Sequence, residues 1–520
     1  MRPGAAPTSA GGPAPALDGR LLLGLSATKL LVHVLLATRY GYFRDELYFL
    51  DCGRHLGWGY VDHAPLIGLV ARLALLMGGS LHALRIFPAV AGALLVALTM
   101  LMACRLGAGR FGQALAGLSV LVAPIYLGMD SILSMNAFEP LFWMGCVYLL
   151  IRIIQSGDSR LWIGVGVLAG LGLMNKHSTL FFLAALAAGV LLTRLRGELL
   201  KPWPWIAAAV ALLIVLPNLA WEVAHGFPTL EDLENVAREG KNVVLGPLEF
   251  VTQQIIILHP VLFPLWLSGL IYLFAGLGGR YRALGWTYLV LAVMLFFLKG
   301  KNYYLAPIYP MLFAAGAAGL DAGLTRWRAT AGRVWPKAVV AGLVLAAGAV
   351  TAPLVLPILP PERYVAYEDA LGFAPPKTEV HHDGPLPQLF GDQFGWEELV
   401  GDVARIYGSL PPDERARTAI FANNYGEAGA INLFGPKYGL PPAISAHQTH
   451  YFWGPRGFRG DILIVLQSDR DELAQVCASV EQAGEHHHPW GMEEENRPIY
   501  ICRGLKVPLP KLWPSLKHWN

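Results

Sequence analysis

Charge is scarce in this chain. Its 520 residues include only 40 basic and 37 acidic side chains, 15% of the total, where soluble proteins average roughly 25%. With 54% of residues hydrophobic, the deficit excludes a disordered chain and argues against a soluble enzyme. The net charge is only +3, and the basic residues fall singly or in pairs between apolar runs, not in the aromatic-interleaved patch of a nucleic-acid binder. No nucleic-acid partner is expected. Cysteine is scarce as well, with five residues and none at the C-x-x-C spacing of a metal site. Cys104 and Cys146 fall in apolar runs and read as small buried hydrophobes. Cys477 and Cys502 would share a water-facing region and could pair in an oxidising compartment. The runs His381-His382-Asp383 and His486-His487-His488 could bind a divalent ion, but polar loop histidines are the stronger reading.

Long apolar runs, by contrast, are abundant. Eleven segments of roughly 16 to 26 residues approach the length needed to cross about 30 Å of hydrocarbon. They lie at 21–39, 83–104, 110–128, 137–154, 160–175, 178–195, 204–221, 250–275, 282–299, 303–322 and 337–357. Pro65 to Met77 is apolar but short and interrupted by Arg72, which suits an interfacial or re-entrant helix. The prolines at 353, 357, 360 and 361 end the last run, because proline cannot continue a helix, and the 160 residues beyond hold 35 of the charges. The expected organisation is a disordered, Pro/Ala/Gly-rich cytoplasmic tail (1–20), a transmembrane unit (21–360) with a first extracytoplasmic loop (40–82), and an extracytoplasmic domain (361–520). In that last part Thr418–Ala422 and Asp461–Leu466 read as buried strands and Asp392–Tyr407 as a helix. The fold class is an α-helical polytopic membrane protein of about eleven transmembrane helices with a C-terminal α/β domain.

Alternate connections are basic. Arg105 and Arg110, Arg152 and Arg160, Arg194, Arg196 and Lys201, Arg280 and Arg282, then Arg326, Arg328, Arg333 and Lys337 mark the inside by the positive-inside rule. That places the N-terminus in the cytoplasm and the C-terminal domain outside, at a bacterial cytoplasmic (inner) membrane. The first run reads as an uncleaved anchor, since no small-residue cleavage site follows it.

The outward connections hold the unusual residues. After the first run come Arg44-Asp45-Glu46-Leu47-Tyr48 and Val61-Asp62-His63-Ala64-Pro65. Adjacent carboxylates beside hydrocarbon are costly, so they either face water as a solvated loop or serve a site, and the Arg44, Arg54, His55, Asp62 and His63 gathered with them favour the site. Asp130, Asn136 and Glu139 follow on the next outward turn, with Asn136 and Glu139 on one helix face. Lys176 with His177, and Lys301 before Tyr304, are outward cations that call for an anion such as a bound phosphate, or else snorkel to the phosphates of the surrounding lipid. Tyrosine hydroxyls can donate to the same oxygens.

These stretches, with Leu84-Arg85-Ile86-Phe87-Pro88, Gly172-Leu-Met-Asn-Lys176-His177-Ser and Lys299-Gly-Lys301 to Pro307, resemble the membrane glycosyltransferases of the GT-C class. The resembling group includes protein O-mannosyltransferases, the aminoarabinose transferase of lipid A and rhizobial galacturonic acid transferases. Asn423-Asn424-Tyr425-Gly426-Glu427-Ala428 and Phe452-Trp453-Gly454 are similar to the C-terminal domain of bacterial members. The resemblance implies inverting transfer of a sugar from a polyprenyl-phosphate donor to a lipid, glycan or protein hydroxyl, with membrane lipid as surroundings. It implies Asp45 as general base and Glu46 as the group that orients Asp45 or a sugar hydroxyl. Arg85, Lys176, His177, Lys301 and Tyr304 would hold the donor phosphate, and Asp62, His63, Asp130, Asn136 and Glu139 would line the substrate site. Where relatives carry Asp at the start of the fourth span, this chain has Asn136. Aminoarabinose transferases place Lys before the loop proline where this chain has Ala64, which argues against that donor. Cofactor use is open, since Asp45, Glu46, Asp130 and Glu139 could bind a divalent metal through oxygen. A transporter or flippase of a lipid-linked sugar is the alternative. It calls for inverted repeats and mid-span ionisable residues, neither of which stands out in the sequence.

Overall fold

The structure, a computed structural model, describes residues 15–326, 332–380 and 383–520. Residues 1–14 of the expected tail, Arg328, and His381 and His382 lie outside the described residues. Ala16 and Asp18 run along the bundle, where Gln113 donates to Ala16 O (3.0 Å) and accepts from Asp18 N (3.0 Å).

Sixteen helices build the first two-thirds of the described chain: α1 (Gly19–Leu36), α2 (Arg44–Arg54), α3 (Leu66–Leu76), α4 (Leu81–Arg105), α5 (Arg110–Val122), α6 (Pro124–Met129), α7 (Met135–Ser156), α8 (Trp162–Asn175), α9 (Thr179–Leu191), α10 (Pro202–Ala224), α11 (Pro228–Glu239), α12 (Pro247–Leu258), α13 (Phe263–Phe274), α14 (Arg282–Phe297), α15 (Tyr309–Arg326) and α16 (Trp335–Val355). All eleven apolar runs are helical, but not as eleven straight spans. Among the described residues six helices are long and apolar enough to cross a membrane, or up to eight if each of two bent pairs is one span. The chain is a multi-pass membrane protein. The run at 250–275 is corrected from one span to two helices meeting at 97°. His259 there adopts φ 88°, and Pro260 has no N–H to carry the helix on. The run at 110–128 likewise breaks before Pro124. Apolar length alone did not register either break.

Helices in lipid associate through close packing at small residues. A Cβ added to Gly269 of α13 would lie 2.0 Å from Leu312 O of α15, and one on Gly316 of α15 would lie 2.0 Å from Leu265 O of α13. The two backbones therefore touch, and glycine alone fits at either position.

The alternate basic connections gather at one end of the bundle. Gln155 donates to Arg105 O (2.6 Å) and Tyr281 Oη (2.7 Å), Gly109 N donates to Asp321 (2.8 Å) and Lys337 pairs with the same carboxylate (2.8 Å). Ser159 and Lys201 meet on Glu198. The C-terminal domain covers the other end. One ion pair is buried between the ends: Lys29 of α1 lies 2.9 Å from Asp130, with the two side chains 0% and 3% exposed. His33, one turn on, contacts Leu127 O (3.1 Å). The sequence reading saw no ionisable group near mid-span, and Lys29 and His33 correct it. One cation in an eighteen-residue apolar helix hardly changes its average hydropathy.

The C-terminal region holds α17 (Pro361–Leu371), α18 (Gln388–Gly391), α19 (Trp396–Ser409), α20 (Pro412–Arg415), β1 (Thr418–Phe421), α21 (Tyr425–Phe434), α22 (His450–Trp453), β2 (Ile462–Val465), α23 (Arg470–Val476), β3 (Cys477–Glu485), β4 (Pro498–Leu505) and α24 (Leu509–Leu512). The sheet order is β1-β2-β4-β3, with β1 parallel to β2 and β4 antiparallel to both its neighbours. Val400, Val403, Ile420, Ile431, Ile464 and Ile501 fill its core. Cys477 and Cys502 form a disulfide across β3 and β4, and Cys52, Cys104 and Cys146 are free. His486 Nδ1–H donates to Asp402 Oδ2 (2.9 Å). Among the described residues no three His, Cys, Asp or Glu side chains are grouped to share a metal ion.

The domain docks through α21 on α2. A Cβ on Gly429 would lie 2.7 Å from the Leu47 carbonyl carbon, and one on Gly426 would lie 2.5 Å from Arg44 Cγ. Fully buried Asp51 pins the joint, accepting from Arg54 (2.6 Å) and Asn432 (2.6 Å) and meeting His450 Nε2 (3.1 Å).

Candidate active site

The glycine-mediated approach of α21 to α2 brings Tyr425 onto Asp45, 380 residues earlier in the chain, where its hydroxyl donates to Asp45 Oδ1 at 2.8 Å. Asp45 is in the first turn of α2 and only partly buried. The Tyr425 ring stacks on Tyr48 (4.8 Å) and on His447 (5.0 Å), while the Arg44 guanidinium sits 5.5 Å over it. Asp62 faces the same cluster: Tyr48 donates to its Oδ1 at 2.8 Å and lies 2.7 Å from the Thr449 hydroxyl. Burial pushes the Asp62 carboxyl up to about 7, against the Tyr48 hydrogen bond that favours its charged form. His63 is packed between Tyr48, Phe49 and Tyr60, and burial pushes its imidazole down to about 4. It is a neutral wall residue.

The second cluster is built on Lys176, which caps α8 with extended backbone. Its ammonium donates to Asn136 Oδ1 (2.7 Å) and lies 3.4 Å from Glu139 Oε2. The three-residue spacing on α7 aims both acceptors at one cation. Ser178 holds the other Glu139 oxygen. The ammonium also sits 4.5 Å over the Tyr304 ring and 5.6 Å over Tyr303, a contact of quadrupole with cation. Lys301 pairs with Glu379 (2.7 Å), and His177 reaches Asn218 of α10 (3.0 Å).

Three expected site residues are placed elsewhere. Arg85 does not face the cluster, and its guanidinium, 2% exposed at the side chain, is saturated. Nε and Nη2 bind the two Glu46 oxygens (3.0 and 2.7 Å). The remaining donors reach Ala37 O (2.8 Å), Gly41 O (2.7 Å) and Gln393 Oε1 (3.1 Å). Glu46 takes two more bonds, from Phe43 N (2.9 Å) and Leu133 N (2.8 Å). The pair is a structural rivet between α2, α4 and the C-terminal domain, so Arg85 is corrected from phosphate ligand and Glu46 from orienter of Asp45. Asp130 is likewise held by Lys29, not by a substrate. With Asp45, Glu46, Asp130 and Glu139 each tied to a different partner, the four acids do not converge on a metal.

The sequence reading missed Tyr48, Thr449, His447, Lys241 and Glu379 and assigned no role to Tyr425. Tyr48 was visible, one turn after Asp45 on the same helix face. The others enter through tertiary contacts alone.

Residues 62–221 match the family described as Dolichyl-phosphate-mannose-protein mannosyltransferase. A lipid A galacturonosyltransferase, RgtD of Rhizobium johnstonii, is 25% identical over 250 residues, covering 47% of this chain. The match spans about half (52%) of that relative's length. The crystal structure of ArnT from Cupriavidus metallidurans bound to undecaprenyl phosphate superposes with a TM-score of 0.60 at 14% identity, covering 94% of this chain and 98% of that one. Its apo state gives the same TM-score at 16% identity. The chain carries the GT-C fold. In this GT-C bundle the matched 62–221 segment contributes Asp62, His63, Asn136, Glu139, Lys176 and His177, so it includes the Lys176 cluster but not Asp45.

Proposed function

We propose that this chain is an inverting glycosyltransferase that moves a sugar from a polyprenyl-phosphate donor to a hydroxyl of a lipid, glycan or protein acceptor. It would work at the outer face of the bacterial inner membrane, with the N-terminus cytoplasmic and residues 361–520 extracytoplasmic. Three observations support the reading: the GT-C fold, the collection of basic connections at the opposite end of the bundle, and a disulfide in the C-terminal domain, which suits an oxidising compartment. The observation that carries it is a partly exposed carboxylate, Asp45, held by the Tyr425 hydroxyl, alongside the Lys176 ammonium aimed by Asn136 and Glu139.

Asp45 takes the proton of the acceptor hydroxyl as its oxygen attacks the anomeric carbon. The bond from that carbon to the phosphate oxygen breaks, and the electron pair leaves with the phosphate. Lys176, aimed by Asn136 and Glu139, offers the leaving phosphate a pre-oriented positive charge, and the Tyr304 hydroxyl adds a donor beside it. Tyr425 holds Asp45 in place. Asp62, half-protonated near neutral pH, can donate or accept at a sugar hydroxyl. The buried Lys29 is paired with Asp130 and bonded to Tyr126 O, and no observation favours the transporter alternative.

The test is sugar transfer from radiolabelled polyprenyl phosphates in membranes carrying Asp45→Asn. Transfer should fall by about 10²- to 10⁴-fold with expression and folding intact. Undiminished transfer removes Asp45 as the base.

A further inference from the structure

A cavity of about 340 Å³ opens on the C-terminal-domain side of Tyr425, walled by Arg44, Lys241, Glu379, Asn423, Asn424, His447, Glu494 and Glu495 among others. Its size is at the low end of the roughly 300 to 1,000 Å³ of small-molecule sites, enough for a mono- or disaccharide. Nothing in the donor-phosphate chemistry above uses it, although Tyr425 belongs to both.

One wall group points to a ligand. His447 is 6% exposed, and its Nδ1 lies 3.1 Å from the Tyr425 backbone N–H. An N–H only donates, so Nδ1 accepts and the neutral ring carries its hydrogen on Nε2. That Nε2–H has no hydrogen-bond partner among the described residues. A buried donor of this kind is costly when unmatched, and an incoming oxygen would match it. Burial and the charges of His518, Lys241 and Arg44 hold the imidazole well below its usual range.

The charge of the wall selects among oxygens. Two cations, Arg44 and Lys241, are outnumbered by the carboxylates of Glu239, Glu379, Glu494 and Glu495. Burial pushes Glu495 up to about 7, and it accepts from Asn424 Nδ2 (3.1 Å). Gln467 bridges Asn423 and Asn424 from the facing loop (2.9 Å each). Asn424 is spent on this frame, its Oδ1 accepting from Glu427 N (2.9 Å), which leaves the exposed Asn423 amide beside the carboxylates to donate and accept as a ring of hydroxyls requires. A uronate or a phosphate would bring a further negative charge to this carboxylate-rich wall, where Lys301 already pairs with Glu379 (2.7 Å).

We propose that this cavity is a saccharide subsite built by the C-terminal domain, in which His447 Nε2–H and the Asn423/Glu495 wall bind the neutral, hydroxyl-bearing sugar of the acceptor and present it to Asp45. The assignment to the acceptor rests on Asp45 being the base. The C-terminal domain thereby completes the active site and sets its preference for uncharged sugars.

The test uses the full-length protein in lipid nanodiscs and saturation-transfer NMR with methyl α-mannoside, methyl α-glucoside and methyl α-galacturonide. The neutral glycosides should take up saturation, and the uronide should bind at least ten-fold more weakly. His447→Phe, which keeps the ring stack but loses the Nε2–H donor together with the Nδ1 acceptor of Tyr425 N–H, should weaken neutral-glycoside binding at least ten-fold. Asn423 is exposed, so Asn423→Trp obstructs the cavity without disturbing the core and should do the same. Equal or tighter uronide binding, or unaltered binding in Asn423→Trp, overturns the proposal. Asp45→Asn separates the two claims: it should bind glycosides normally yet fail to transfer. Normal transfer by that variant sinks the base alone, and absent binding with Asp45-dependent transfer sinks the subsite alone.

Discussion

Replacing Arg85 by Met separates a structural role from a phosphate-binding one. The substitution leaves Glu46, 0% exposed, with two backbone donors in place of four hydrogen bonds, and it strips Ala37 O, Gly41 O and Gln393 Oε1 of a cation. Removing one partner of a buried ion pair costs about 3 to 5 kcal/mol. The lost carbonyl contacts put Arg85→Met toward the upper figure. Glu46→Gln in the same background relieves the stranded charge, so the double variant should recover about 1 to 3 kcal/mol. The assay is unfolding of detergent-solubilised protein followed by tryptophan fluorescence, with 15 Trp residues as reporters. Undecaprenyl-phosphate affinity is measured alongside on the folded fraction. Unaltered affinity with a large loss of stability is expected. Stability within about 0.5 kcal/mol of the unmodified protein, with affinity lost, would refute the rivet and restore Arg85 to the phosphate site.

Asp62 should make stability depend on pH. Its folded carboxyl is pushed up to about 7, whereas an unfolded Asp titrates near 3.9. Between those values the folded state holds more protons, so stability falls as pH rises from 4 to 7 and levels off above. Its 24% side-chain exposure reduces the effect to about 2 kcal/mol, and Asp62→Asn should flatten that slope in melting curves from pH 4 to 8; an unchanged slope contradicts the burial argument. Cys477→Ser opens a 25-residue loop and should cost about 3 kcal/mol, read as a lower melting temperature that reducing agent reproduces in the unmodified protein but not in the variant. Lys176→Met should cut transfer by about 10²- to 10³-fold while glycoside binding at the cavity persists. Equal loss of both would mean that the lysine mainly holds the bundle end together.

The sequence carried the architecture where it is written locally. Apolar length located every span-forming segment, alternate Arg and Lys sorted the connections into two ends, and short continuous apolar runs placed β1 and β2. Breaks in the backbone were less legible. His259-Pro260 lies inside a run whose average hydropathy is continuous, so one span was expected where two helices cross. For the site, the three-residue spacing of Asn136 and Glu139 was readable as a shared face, but Lys176 as its target required α7 and α8 to pack. Glu46 and Arg85 were visible as charges, 39 residues apart, and only the tertiary structure shows that they neutralise each other. Tyr425 stood in a recognised turn, yet its contact with Asp45 depends on Gly426 and Gly429 letting two helices approach. Such contacts have no local signal.

A structure of the full-length protein with undecaprenyl phosphate bound would test the placement of the site most directly. The phosphate should lie within hydrogen-bond distance of Lys176 Nζ and Tyr304 Oη. A phosphate held instead by Arg85, or bound at the basic end near Arg105 and Arg152, would contradict the assignment.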